Sequence, residues 1–189
     1  MITLNDLDRY NLSNDYFQIV NRDLKELKLF YPYVKIIYIP TKVPSLIVLE
    51  VIAVSKDIID KTHATEDDLR LQYSKKITVI IPKDYPNSNC YIYGAGWLDL
   101  EKIPYEDRHC YREVGNELQL CVGVPQSAVN LKNVLLENIR TAENWLIAYE
   151  KLQKGDCNKL ELKAYSHGYD GEQEYRRDKT KYITRKNRK

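Results

Sequence analysis

One short segment of the chain gathers the side chains that are best suited to nucleophilic or metal chemistry. Residues 107–125 read DRHCYREVGNELQLCVGVP and contain His109, one of three histidines, with Cys110 and Cys121, two of four cysteines. Charged residues and glycines interrupt the segment, so it is too polar to be core. Its residue types allow a metal site, a redox pair of thiols, or the surroundings of a single nucleophile.

The spacing of these residues argues against a metal site and against a redox pair. Structural zinc sites use closely spaced ligand pairs such as C-x-x-C, whereas Cys110 and Cys121 lie eleven residues apart and His109 is directly adjacent to Cys110. The C-x-x-C pattern of redox-active dithiols is also absent from the sequence. The sequence therefore predicts neither a bound metal nor a catalytic dithiol.

A single nucleophilic cysteine is the remaining interpretation, and Cys121 fits it better than Cys110. An ordinary exposed thiol is about 7% thiolate at physiological pH, which suffices for acyl exchange without a dedicated base. Leu118 and Leu120 would anchor the preceding residues on the core, and the Gly-Val-Pro sequence that follows indicates an open backbone. The local features leave open the alternative of a buried cysteine that only packs.

Composition predicts one folded domain followed by a basic tail. The 189 residues are 43% hydrophobic and 30% charged, with a net charge of +2, which is typical of a globular domain with a sizeable core. Residues 175–189 carry a net charge of +7 and the rest of the chain −5. We expect a domain at residues 1–160 and a tail at residues 161–189. Nucleic acid is not the expected partner, since no recognition motif accompanies the basic charge.

The sequence also bears on location and cofactors. Its first residues are acidic and lack the apolar run of a signal peptide, and no stretch of about eighteen uncharged apolar residues predicts a membrane span. We therefore expect a cytoplasmic protein with reduced cysteines and no membrane partner. No G-x-G-x-x-G or other nucleotide-binding loop occurs in the sequence, so no cofactor is predicted.

The elements that would position Cys121 are two helices and an antiparallel sheet. Apolar residues recur with helical spacing over residues 14–30 and again over residues 130–152. A shorter helix is predicted near residues 66–73, and an irregular active-site loop at residues 95–126. Together these elements predict an α+β fold. The predicted strands of the meander are residues 34–39, 46–54, 77–81 and 90–94.

In its order of motifs the chain resembles the ubiquitin-conjugating enzyme family. That family has an apolar strand entering a Pro-Tyr-Pro turn, a His-Pro-Asn tripeptide about ten residues before a Leu-Cys active site, and a leucine-rich helix. The resemblance covers about residues 14–155 and implies the family's α+β fold, with an N-terminal helix, a meander of about four strands, a long active-site loop and a C-terminal helix. The matching residues are Pro82, Tyr85, Pro86, His109, Leu120, Cys121 and the helix at 131–139.

The departures from the family pattern resemble its bacterial branch. The tripeptide beginning at His109 reads His-Cys-Tyr, so the family's oxyanion-stabilising asparagine is missing, and no tryptophan follows the cysteine. Together with ENWLIAYEKLQKGD at residues 143–156 and SHGYDG at residues 166–171, these differences are similar to members found in antiphage-defence (CBASS) and bacterial ubiquitin-like conjugation operons. Resemblance to that branch implies a thioester on Cys121, with a cGAS-like nucleotidyltransferase or a ubiquitin-like protein as the partner that bears an activated C-terminus.

The family resemblance implies roles for five residues of the segment. Cys121 would carry the acyl group until an amine attacks it, and His109 would hold the loop by hydrogen bonds. A missing donor costs about 3 kcal/mol, so backbone N–H groups near Cys121 or the Asn116 side chain would have to stabilise the oxyanion, and Asp107 and Glu113 are candidates for deprotonating the amine. A separate activating enzyme and direct thioester formation with the modified protein both stay open. The alternative function is a catalytically inactive binding module of the same fold.

Overall fold

A computed structural model describes residues 15–39, 46–71, 75–94, 103, 110–114, 117–122, 133–160 and 162 of the chain. The described residues form a mixture of helices and antiparallel strands, as the α+β prediction requires. In chain order they are helix α1 (Asp15–Phe30), strands β1 (Val34–Tyr38) and β2 (Leu46–Ile52), helices α2 (Lys56–Thr62) and α3 (Glu66–Leu71), strands β3 (Lys76–Pro82), β4 (Tyr91–Gly94), β5 (Cys110–Val114) and β6 (Glu117–Leu120), and helix α4 (Val134–Lys154).

The six described strands form a single sheet in the order β1-β2-β3-β4-β6-β5, and every neighbouring pair is antiparallel. The first four strands form the predicted meander. Alternate residues along β2 and β3 are buried, which indicates that one face of the sheet is covered. The buried residues of these two strands are Ile47, Leu49, Val51, Ile77, Val79, Ile81 and Pro82.

Two parts of the sequence prediction are wrong. Residues 110–114 and 117–120 were expected to be irregular, but they form the hairpin β5–β6 that extends the sheet beyond β4. A strand near the sheet edge needs few apolar residues because pairing with its neighbour stabilises it, so its sequence carries a weak strand signal. Helix α2 was also missed, because it buries none of its residues and therefore lacks an amphipathic pattern.

Helices α1 and α4 contact each other and contribute to the same core as the covered face of the sheet. Asn133 caps α4, since its side chain accepts a hydrogen bond of 2.9 Å from the Leu136 N–H. The helix ends at Gly155, whose φ of 77° is the left-handed conformation that glycine favours. The predicted residues 130–132 lie outside the described part. The predicted apolar face of α1 is buried at Tyr16, Val20, Leu24 and Leu27.

A buried polar network joins the turn after β3 to both long helices. Tyr85 donates a hydrogen bond of 2.5 Å to Asp23 Oδ2, and its hydroxyl oxygen accepts one of 3.2 Å from the Leu135 N–H. Asn133 donates from Nδ2 to the Asp23 carbonyl at 3.1 Å. Arg22 balances the charge of the fully buried Asp23 with an ion pair of 2.7 Å. The network fixes the turn against α1 and α4, and the Tyr85–Pro86 peptide bond in this turn is cis.

Two apolar residues that follow α4 belong to the core or contact it. Leu160 is buried in the core, and Leu162 packs against it. Residues 163–189, which make up nearly all of the predicted tail, lie outside the described residues. No helix within the described ranges is long and apolar enough to cross a membrane.

Candidate thiol site

Cys121 lies directly after β6, between two residues whose side chains enter the core. Leu120 and Val122 are 1% and 5% exposed, whereas Cys121 is half-buried. The alternation of strand β6 therefore continues past its end and places Cys121 on the face of the sheet opposite the core. The thiol is reachable from solvent while both neighbouring residues are fixed by burial.

Cys110 belongs to the opposite face of the same hairpin. It pairs with Leu120 across the β5–β6 ladder, and residues directly opposite each other on antiparallel strands share a face. Its half-buried side chain accordingly packs against the core cluster. The two cysteines are close along the sheet but face different surroundings, an arrangement that supports Cys121 as the solvent-facing candidate.

The other two cysteines lie elsewhere. Cys90 is 2% exposed next to the start of β4. Burial, with a smaller contribution from the Asp23 carboxylate, raises the pKa of the Cys90 thiol well above its ordinary value. Cys157 follows the end of α4 and is half-buried. None of the four cysteines forms a disulfide.

An open apolar row on the outer face of the sheet leads to Cys121. Tyr38 pairs with Val48, Val48 with Ile80, and Ile80 with Tyr91. The β4–β6 register ends at the pair Ile92–Leu120, and Tyr91 and Cys121 are the residues directly adjacent to this pair in the sequence. Tyr38 and Tyr91 are 54% and 44% exposed. The thiol therefore lies at the end of a surface that could contact an apolar partner.

A buried side chain from α4 anchors the backbone next to Cys121. Asn138 donates from Nδ2 to the Val122 carbonyl at 3.2 Å, and its Oδ1 accepts a hydrogen bond of 2.7 Å from the Cys90 N–H. The same Nδ2 donates to Asn89 Oδ1 at 3.2 Å. Sequence reasoning missed this residue. The available signal was an amide among the core-facing apolar positions of a long helix, three residues after Leu135 and four before Ala142.

Most of the predicted site residues are not described themselves, but a residue adjacent to His109 in the sequence is. His109, Asp107 and Asn116 lie outside the described residues. Cys110, which follows His109, is beside Leu120, which precedes Cys121.

Of the support candidates, Glu113 is the one whose backbone lies within the described residues. Glu113 is in β5, where it pairs with Leu118, three residues before Cys121, and its side chain is not among those described. Glu117, which follows Asn116, is four residues before Cys121. Four residues of extended strand span about 13 Å.

Neither a metal cluster nor a known relative adds to this picture. Within the described ranges, no group of three or more His, Cys, Asp or Glu residues is placed to hold a metal ion. Comparisons of the chain with protein-family models, with curated proteins and with solved structures found no match.

Proposed function

We propose that this protein is an acyl carrier of the ubiquitin-conjugating type, in which Cys121 holds the C-terminal carboxyl of a partner protein as a thioester and passes it to an amine. The observation that carries the proposal is the placement of Cys121, half-buried on the outer face of the sheet between the buried Leu120 and Val122. A nucleophile needs both access and a fixed position. The order of helix, meander, hairpin, cysteine and helix supports the same proposal.

The chemistry needs only a thiolate and an activated acyl group. The Cys121 thiolate attacks the carbonyl carbon of the incoming thioester, the carbonyl oxygen takes the electron pair, and collapse of this oxyanion expels the donor thiolate. An amine then attacks the same carbon, the bond to Cys121 breaks, and the amine proton passes to water or a base. The products are an amide and a regenerated thiolate. Backbone N–H groups next to Cys121 would stabilise both oxyanions.

The proposed partner is a protein with an activated C-terminus. By the resemblance to the bacterial branch, this partner is a cGAS-like nucleotidyltransferase or a ubiquitin-like protein, and the setting is antiphage defence in a bacterial cytoplasm. His109 belongs to this proposal as the residue that holds the active-site loop. Asp107 is proposed to assist deprotonation of the attacking amine, whereas Glu113, which pairs with Leu118 three residues before Cys121, is not proposed for this role.

A catalytically inactive binding module is the second candidate function. It is favoured by the exposed apolar side chains on the sheet, since Ile37, Tyr38, Leu46 and Tyr91 are each at least 40% exposed and clustered exposed apolar residues mark interaction surfaces. It also agrees with the absence of an asparagine from the tripeptide at His109. The two candidates differ in one measurable property, the transfer of an acyl group through Cys121.

Transfer from a synthetic thioester separates the two candidates. The probe is a fluorescent glycine-terminated peptide thioester of mercaptoethanesulfonate, mixed with the full-length chain and then chased with excess lysine. The matched control is the free peptide ELQLCVGVP, residues 117–125, which contains the same cysteine without the fold.

We expect a reductant-sensitive adduct on the full-length chain that forms at least tenfold faster than on the control peptide and is discharged by lysine. An adduct that forms no faster than on the peptide would exclude the carrier function and leave the binding module.

A further inference from the structure

Asn138 occupies a position in the fold where its side chain joins three separate segments. It lies in α4 and is 2% exposed. Its amide forms hydrogen bonds with the Cys90 N–H and Asn89 Oδ1, just before β4, and with the Val122 carbonyl, just after Cys121. The side chain thus links α4 to both of these segments. A buried amide with three partners is well satisfied, and its loss would leave buried backbone groups unpaired.

The orientation of this amide follows from its partners. The Cys90 N–H can only donate, so it requires Oδ1, and the Val122 carbonyl can only accept, so it requires Nδ2. A flipped amide would face the Cys90 N–H with another donor and the Val122 carbonyl with another acceptor. Asn138 is therefore held in one orientation, with its donor directed at the residue after Cys121.

The Val122 carbonyl needs such a partner because β6 has ended. Strand β6 spans Glu117–Leu120, so Val122 lies beyond the sheet ladder while its side chain is still buried. A buried carbonyl without a hydrogen bond costs about 1 to 3 kcal/mol. Asn138 supplies the bond that the sheet no longer provides, and it does so one residue after the thiol.

We propose that Asn138 is a positioning residue for Cys121. It holds the backbone after the thiol against α4 and thereby fixes both the direction of the sulfur and the backbone N–H groups that would face the oxyanion. Only the predicted effect on acyl transfer rests on the proposed function. The positioning of the thiol itself is a property of the fold that can be measured without any partner.

The variant Asn138→Asp keeps the size of the side chain but replaces the two N–H donors with an oxygen and, when ionised, adds a buried negative charge. Its carboxylate still accepts from the Cys90 N–H, but when ionised it faces the Val122 carbonyl with an acceptor. When protonated, its O–H can donate to that carbonyl and restore the bond. Burial raises the pKa of a carboxyl group, so the restored form is expected at mildly acidic pH. Asn138→Ala cannot be rescued in this way at any pH.

The experiment compares alkylation and transfer in the full-length chain. The rate of iodoacetamide reaction at Cys121, mapped by mass spectrometry, is measured from pH 5.5 to 8.5, and transfer is measured with the glycine-terminated peptide thioester. Tyr31→Phe is the matched control, since it removes another buried hydrogen bond to α4, the bond of 2.7 Å to Glu143 Oε2. Asn89→Ala, which removes a single partner of the amide, is the milder variant in case the substitutions at position 138 prevent folding.

At pH 8 we expect Asn138→Asp to alkylate about threefold faster than the wild type, because the half-buried thiol is released, and to transfer about tenfold more slowly. Both ratios to the wild type return towards one as the pH falls, whereas those of Asn138→Ala stay constant. Asn89→Ala shows smaller changes in the same directions, and Tyr31→Phe shows none.

Wild-type rates in the folded Asn138 variants, the same changes in Tyr31→Phe, or an Asn138→Asp ratio that does not respond to pH would each overturn the inference. If the substitutions at position 138 prevent folding, wild-type rates in a folded Asn89→Ala overturn it. A wild-type protein that fails to transfer, while its alkylation still depends on residue 138, would refute the proposed function and leave the positioning role standing.

Discussion

Cys110 lies directly opposite Leu120 in the β5–β6 hairpin, and this pairing places the thiol of Cys110 on the core face and that of Cys121 on the outer face. The first prediction concerns their reactivity. With limiting iodoacetamide at pH 7.5, Cys121 should be modified before Cys110, and Cys90 should react last, because burial both shields it and raises the pKa of its thiol. Peptide mapping by mass spectrometry checks the order, and early modification of Cys90 would contradict it.

The second prediction concerns the polar network around Asp23. Tyr85→Phe removes the donor to Asp23 Oδ2 and the acceptor for the Leu135 N–H, and both groups are buried. The free energy of unfolding should fall by about 1 to 3 kcal/mol, as measured by urea denaturation. Tyr91→Phe is the control, since a tyrosine on the open face of the sheet should lose less than about 0.5 kcal/mol. A loss below about 0.5 kcal/mol in Tyr85→Phe would contradict a stabilising role for the network.

The hairpin register underlies a third prediction, on His109 and Asn116. His109→Ala should lower acyl transfer and reduce the free energy of unfolding by about 1 to 2 kcal/mol, because the register holds the next residue, Cys110, beside Leu120. Asn116→Ala should leave the transfer rate unchanged, since the extended strand β6 follows it before Cys121 is reached. The peptide-thioester assay measures both rates. A selective loss in Asn116→Ala would restore that residue as an oxyanion donor.

A fourth prediction concerns pH and the outer face of the sheet. Burial raises the pKa of Glu50, but the hydrogen bonds and charges of Lys76 and Lys35 outweigh burial and lower it overall. A lowered folded-state pKa gives stability that is present above the unfolded value of about 4.3 and lost as the pH falls through the folded value. Glu50→Gln should thus be less stable than the wild type at pH 7 and equal to it near pH 2. A difference that persists undiminished at pH 2 would contradict this assignment.

The sequence was sufficient for the elements that carry their own apolar periodicity. Helix α1, the four strands of the meander and most of α4 follow from such patterns, because each buries a regular row of side chains. The hairpin β5–β6 did not follow, because its strands are only five and four residues long and carry too short a pattern to be recognised. Leu118 and Leu120 were recognised as anchors, but two leucines do not define a strand.

The residues of the candidate site also differ in whether the sequence could predict them. Cys121 could be selected from local composition and motif order, since a nucleophile is recognised by its residue type. The contribution of Asn138 could not be found, because its partners at Asn89, Cys90 and Val122 are 49, 48 and 16 residues away along the chain. Only the packing of α4 against the ends of β4 and β6 brings them together.

The most direct test of the central claim is the chemical nature of the adduct on Cys121. Full-length Cys121→Ser, Cys121→Ala and Cys110→Ala are mixed with the glycine-terminated peptide thioester, and intact masses are recorded with and without dithiothreitol. We predict a dithiothreitol-sensitive thioester in the wild type and in Cys110→Ala, a dithiothreitol-resistant oxyester in Cys121→Ser, and no adduct in Cys121→Ala. An adduct that survives in Cys121→Ala and disappears in Cys110→Ala would contradict the account.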